Sequence, residues 1–190
     1  LFRSVFDFSR ESMTSAKIRT MKENLNSEFS QIFELCQFIL THSTNGPLIV
    51  GTLQTLQRFI SWIPLGYIFE TNLLSTIVGK FLTVSAFRTP ALDCLVEVSM
   101  LPRADIPERY DVVLTQMYQA FISTLETQIP PHMDMAQVFA IGNEDACLFF
   151  ARLALFLGNF NMAHLQVLEQ HSAQNAALGV SLMKGLDMLI

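Results

Sequence analysis

"GTLQTLQRFIS", residues 51–61, and "PALDCLVEVSM", residues 90–100, decide how this chain folds. Laid over each other at an offset of 39 residues, Leu53 falls on Leu92, Leu56 on Leu95 and Phe59 on Val98. Within each stretch the apolar side chains step by three or four, which is one face of an α-helix. A helix pair buries only part of such a face within itself. The same face returning some forty residues later therefore predicts pairs that stack on one another.

Outward from these two stretches the pattern continues. Phe29, Ile32, Phe33, Cys36, Ile39 and Leu40 make one stripe, and Ile49, Leu53, Leu56, Ile60 and Ile63 the next. Leu73, Leu74, Ile77, Val78, Phe81 and Leu82 form two adjacent rows. Tyr110, Val113, Leu114, Met117, Phe121 and Leu125 follow, then Phe149, Leu153, Phe156, Leu157 and Phe160, then Leu178, Leu182, Leu186 and Leu189. Phe29 to Leu73 is a step of 44 and Leu73 to Leu114 a step of 41. No period-two alternation is sustained, so no sheet is expected.

The breaks fall between stripes: "STNGP" at 43–47, "IPLG" at 63–66, "LPRADIP" at 101–107 and "IPPHMD" at 129–134. "RTP" at 88–90 fits a first helical turn, where proline is tolerated. Gly142 or Asn143 is expected to open a helix carrying Glu144 and Asp145 in its first turn. The predicted fold is all-α, an armadillo-like HEAT-repeat solenoid of antiparallel helix pairs, about three and a half repeats in one segment over 1–190. The expected pairs are 14–43 with 46–62, 68–83 with 87–100, and 105–129 with 143–172, then a lone helix at 174–190. The Pro130–Pro131 loop stretches the third pair.

Composition agrees with a large buried core. Hydrophobic residues make up 51% of the chain and charged ones 15%, with a mean hydropathy of +0.36. The greasiest stretch, "CLFFARLALFLGNF" at 147–160, has Arg152 near its middle, so no membrane insertion is expected. The opening "LFRSVFDFSRES" lacks an uninterrupted apolar run and a small-residue cleavage site. A start without Met and an apolar stripe running into "LDMLI" suggest a segment of a longer polypeptide. A net charge of -5 argues against nucleic acid as a direct partner and permits a basic protein. Cys36, Cys94 and Cys147 are far apart, as expected of reduced thiols in the cytosol or nucleus.

Catalytic and metal-binding patterns are missing. There is no GxSxG, HExxH, P-loop or GxGxxG in a strand context, so neither an enzyme nor a cofactor is expected. His164 and His171 are seven apart rather than four, and with His42 and His132 are expected to be surface or partly buried residues rather than ligands. The pairs Glu144–Asp145 and Glu108–Asp111 fit helix starts. The nine methionines fit core gaps. With Leu53, Leu56, Ile60, Leu92, Leu95 and Val96 inward, Gln57, Arg58, Asp93 and Glu97 face outward as candidate partner contacts.

"SWIPLGYIFET" at 61–71 holds the only tryptophan beside a chain break. Pro64 forces the turn and Gly66 permits a tight path. Trp62, Tyr67 and Phe69 are then expected to fill the corner where one repeat meets the next, with Trp62→Ala costing about 3–5 kcal/mol. The other reading keeps Trp62 and Phe69 exposed for docking.

Together with "VFDFS" at 5–9, "LNSEFSQIFELCQFIL" (25–40), "GPLIVGTLQTLQRFISWIPLGYIFETNLLSTIVGKFL" (46–82) and "FRTPALDCLVEVS" (87–99) closely resemble the exportin-1-like nuclear export receptors of the karyopherin-β superfamily. The resemblance is nearly continuous from Val5 to about Ser99, with "WIPLGYIFET" its most specific marker. From Met100 to Ile190 it rests on helix order, the "LFL" core near 155 and "LMKGLDMLI". It implies a ring-shaped HEAT array that takes Ran-GTP and leucine-rich export-signal cargo through the nuclear pore, past nucleoporin Phe-Gly repeats, shuttling between nucleus and cytoplasm. It also implies a position after the first Ran-contacting repeats and before the acidic loop and export-signal groove. The family's reactive groove cysteine is accordingly not expected among Cys36, Cys94 and Cys147. The alternative is another HEAT-repeat scaffold, importin-like or a regulatory subunit, with no transport role.

Overall fold

The computed structural model describes residues 15–129 and 143–188. "VFDFS", most of "IPPHMD" with His132 and the Pro130–Pro131 turn, and the last two residues of "LDMLI" lie outside the described residues. Residues 1–35 and 36–190 form two compact units. The first unit contributes the start of helix α1 (Ser15–His42), along which Phe29 and Phe33 are buried.

In the second unit α1 ends at His42, and α2 runs Gly46–Ile60. Asn45 caps α2 by accepting from the Leu48 amide at 3.1 Å, and Pro47 occupies the first turn, where its missing N–H costs nothing. Short α3 (Leu65–Phe69) follows. Then comes α4 (Leu73–Thr76), prolonged by a π turn over Ile77–Phe81 that is closed by the Leu82 amide on the Ile77 carbonyl at 3.0 Å. Next are α5 (Ser85–Ser99), two 3₁₀ turns at Arg103–Asp105 and Glu108–Tyr110, and α6 (Asp111–Gln128). The last two helices are α7 (Glu144–Ser172) and α8 (Ala176–Asp187), and no strand occurs among the described residues.

Two expectations change. The helix expected at 68–83 is broken, because the Thr71 hydroxyl takes the Tyr67 carbonyl at 2.7 Å and accepts from the Leu73 amide at 3.2 Å. That local bonding replaces helix ladder bonds. The other change is at "RTP": α5 starts at Ser85, so Pro90 lies in its second turn and leaves the Ala86 carbonyl, in an exposed turn, without its ladder donor. Of the two residues weighed for opening α7, Asn143 does so, accepting from the Ala146 amide at 3.1 Å.

The helices of the second unit sort into two layers. α2 packs on α5 and α5 on α7. In the other layer the π turn packs on α6 and α6 on α8. The overlaid stretches form the centre of the first layer: Leu53, Leu56, Leu92, Leu95 and Val98 are all buried, while Phe59 is half-buried. α7 is long and apolar enough to cross a membrane by length and composition, yet here it packs against α5, α6 and α8, with Phe149, Leu153, Phe156, Leu157 and Phe160 buried.

Side chains bridge positions about one repeat apart. Lys80 donates to the carbonyls of Leu40 and Thr41 at 2.6 and 3.2 Å, placing a cation at the C-terminal end of α1, where the helix dipole favours it. The Cys94 thiol meets the Leu53 carbonyl at 3.2 Å, and the Tyr110 hydroxyl donates to Glu70. These separations of 39 to 41 residues match the period of the apolar stripes.

Candidate protein-docking surface

Asp93 and Glu97 lie one turn apart on α5, between α2 and α7. Both are half-buried rather than free. Arg152 Nε of α7 sits 2.8 Å from Asp93 Oδ1. Burial pushes the Asp93 carboxyl up, and Arg152 pulls it back only partly. Burial also raises Glu97, opposed by a hydrogen bond from the Gln57 side chain of α2, while Asp93 adds to the rise. Gln57, Glu97, Asp93 and Arg152 thus make a polar row across α2, α5 and α7. Arg58 stands exposed beside it. Arg88 of α5 adds a second tie to α7, its guanidinium 4.6 Å from the Phe149 ring centre.

The corner at 61–71 is filled differently from the expectation. Trp62 is 40% exposed. Its Nε1 donates to the Arg58 carbonyl at 2.8 Å, and its ring meets Phe59 edge-on at 5.2 Å, which holds it along the end of α2. Phe69 is buried, and Ile63 and Ile68 share the interior with it. Phe69 stacks on Tyr110 at 5.0 Å, joining the corner to the turn before α6. Tyr67 is half-buried. Pro64 caps the start of α3, and a Cβ on Gly66 would touch the Glu70 carboxylate at 3.4 Å.

Beside this corner a groove of about 470 Å³ opens between α6 and the α4–π-turn segment. Leu74, Val78 and Met117 floor it, and Asn72, Ser75 and Gln116 supply polar edges. The sequence offered no signal for it, since one wall of it is the π turn.

A second feature was hidden in the sequence. His164 is completely buried, contrary to the expected surface or partly buried position, because α7 continues past Phe160 between its neighbours. Tyr118 of α6 is also fully buried, and Asn161 nearly so. The Tyr118 hydroxyl, both ends of the Asn161 amide and both His164 ring nitrogens lack a hydrogen-bond partner among the described residues. Burial pushes Tyr118 up to about 12, with the Asn161 amide beside it acting the other way. Burial lowers His164 to about 4, and the charge of Arg103 lowers it further. Near this cluster Arg103 Nη2 holds both Asp111 oxygens at 3.0 Å.

The model of the family described as exportin 1-like protein matches residues 1–95, half of the chain. The chain belongs to the exportin 1-like family. Protein EXPORTIN 1A of Arabidopsis thaliana is 41% identical over 190 residues, covering 100% of this chain and 17% of that relative. Exportin-1 of Drosophila melanogaster is 41% identical over 169 residues, 89% of the chain and 16% of the relative. Exportin-1 of Schizosaccharomyces pombe is 36% identical over 178 residues, 94% of the chain and 16% of the relative. The exportin 1-like likeness therefore reaches well past Ser99, and the chain spans about one sixth of its relatives' length. The all-α, two-layer arrangement is the HEAT-repeat fold of this family.

Proposed function

We propose that this chain is part of a nuclear export receptor that binds Ran-GTP and leucine-rich export-signal cargo and carries them through the nuclear pore, shuttling between nucleus and cytoplasm. The observation that carries the reading is exportin 1-like similarity over the whole chain. The fold supports a binding module: stacked helices with a polar row along the α2–α5–α7 layer. In this reading Gln57, Arg58, Asp93 and Glu97 face the cradled partner, with Arg58 the most available of the four because it is the exposed one. Ran-GTP and cargo each favour one strained form of the receptor, so each raises the affinity for the other.

The test is binding of Ran-GTP to the full-length receptor with and without an export-signal peptide, measured by titration. Mutual enhancement supports the reading. Ran-GTP binding that ignores the peptide contradicts it and favours an importin-like scaffold. Arg58→Glu in the full-length receptor should weaken Ran-GTP binding through a charge reversal, and unchanged affinity would remove Arg58 from the interface.

Trp62 gives one observation in favour of a further contact. Its partial exposure leaves aromatic surface for nucleoporin Phe-Gly repeats. Binding of such repeats should shift the emission of the lone tryptophan, and an unchanged spectrum at saturation would place the contact elsewhere.

A further inference from the structure

The α6, α7 and α8 junction is built unlike the rest of the second unit. Tyr118 projects from α6 against α8 so closely that a Cβ on Gly185 would lie 2.0 Å from its hydroxyl. Its ring stacks on Phe160 at 5.1 Å, and Phe160 in turn meets the His164 imidazole at 4.8 Å. Asn161 and His164, three apart on α7, share this interior. Three helices thus converge on a cluster short of hydrogen bonds: the Asn161 amide acts on the Tyr118 hydroxyl, but neither His164 ring nitrogen has a hydrogen-bond partner among the described residues.

We propose that His164 is a protonation latch: neutral, it lets α6, α7 and α8 close over it, and on taking up one proton it opens that junction while the α2–α5–α7 layer stays shut. The neutral ring, packed beside Phe160, pays only for its polar nitrogens, a cost well below that of a buried charge. The imidazolium is not tolerated, since no group among the described residues accepts its two N–H groups and an uncompensated buried charge is expensive. The charged groups among the described residues offer no relief. Arg103, from the turn before α6, acts on the ring with the same sign. Asp111 of α6 is held by Arg103, Glu126 of α6 by Lys184 of α8, and Asp93 of α5 by Arg152. Tyr118 stays neutral throughout this range. His171, two turns along α7, acts on Asp111.

The sign follows from the depressed value. His164 gains its proton near pH 4 when folded and near pH 6.5 when the junction is open, so closure is favoured at neutral pH and weakens as pH falls below 6.5. Between pH 7.5 and 5.0 the closing equilibrium should fall about thirtyfold. Hydrogen exchange of the full chain, corrected for intrinsic rates at the two pH values, reads this directly. Amides of α6, of the second half of α7 and of α8 should lose protection at pH 5.0, while those of α2 and α5 keep theirs. His164→Leu, which fills the site with an apolar side chain, should abolish the difference. Uniform loss across both layers, or the same loss in His164→Leu, would overturn the latch. Should that variant fail to fold, an NMR titration of the His164 ring in the unmodified chain decides: a value well below 6.5 supports the proposal, and one at or above 6.5 ends it.

Discussion

The α2–α5–α7 layer and the α6–α7–α8 junction share one long helix and close on it in opposite ways. In the layer where α7 packs on α5, Leu92, Leu95 and Val98 are buried, with ions confined to the edge at Asp93 and Arg152. Against α6 and α8 it offers Asn161 and His164 to Tyr118 and Gly185. The first contact holds by excluding water from apolar surface, at about 25 cal/mol per Å². The second buries the His164 ring with no hydrogen-bond partner among the described residues, and each such unmet polar group costs about 1–3 kcal/mol against closure. A repeat array can therefore be stiff on one side and yielding on the other without any change of backbone pattern.

Four substitutions probe that contrast, from large effect to small. Leu95→Ala removes a wholly buried side chain at the centre of the apolar layer and should cost about 2–5 kcal/mol in a denaturant melt. A cost under about 1 kcal/mol would mean the layer is not the stable one. Gly185→Ala drives a methyl group into the Tyr118 hydroxyl and to within 3.1 Å of Ile122 Cδ1, for an overpacking cost of about 1–3 kcal/mol. Its exchange signature should be confined to α6, α7 and α8. Trp62→Ala should cost about 1 kcal/mol, well below the value for a buried aromatic, since the ring lies along the surface against Phe59. Asp93→Asn should move stability by no more than about 0.5 kcal/mol, because burial already offsets the attraction of Arg152. A larger loss would make the edge ion pair a true partner of the apolar core.

Much of this was legible in the sequence because it depends on periodic burial. The offset of 39 between residues 51–61 and 90–100 placed Leu53 against Leu92 and Leu56 against Leu95 as equivalent core positions, and all four are buried. The start of α7 at Asn143 was one of the two weighed, while the side-chain caps at Asn45 and Asn175 come from the structure. The break at Glu70–Asn72 was not visible, since it turns on Thr71 exchanging ladder bonds for local ones. The sequence leaves Trp62 between a packed corner and an exposed docking position. Its indole N–H found the Arg58 carbonyl on its own helix, which holds the ring along the end of α2, and Ile63, Ile68 and Phe69 took the interior.

The polar row shows a further limit. Outward-facing positions were assigned from the helical wheel of one helix at a time. That logic sees Asp93 and Glu97 as exposed, yet the neighbouring helices bring Arg152 and Gln57 to meet them. His164 is the same lesson reversed: a polar residue on an apolar helix is interior here because three helices, separated by up to sixty-odd residues in the chain, close over it.

Native-state hydrogen exchange at neutral pH under increasing denaturant tests the two-sided account most directly. The amides of Leu92 to Val98 on α5 should exchange only through global unfolding, while those of α8 exchange through a smaller, local opening of lower free energy. Equal opening free energies in α5 and α8, or a more protected α8, would contradict it.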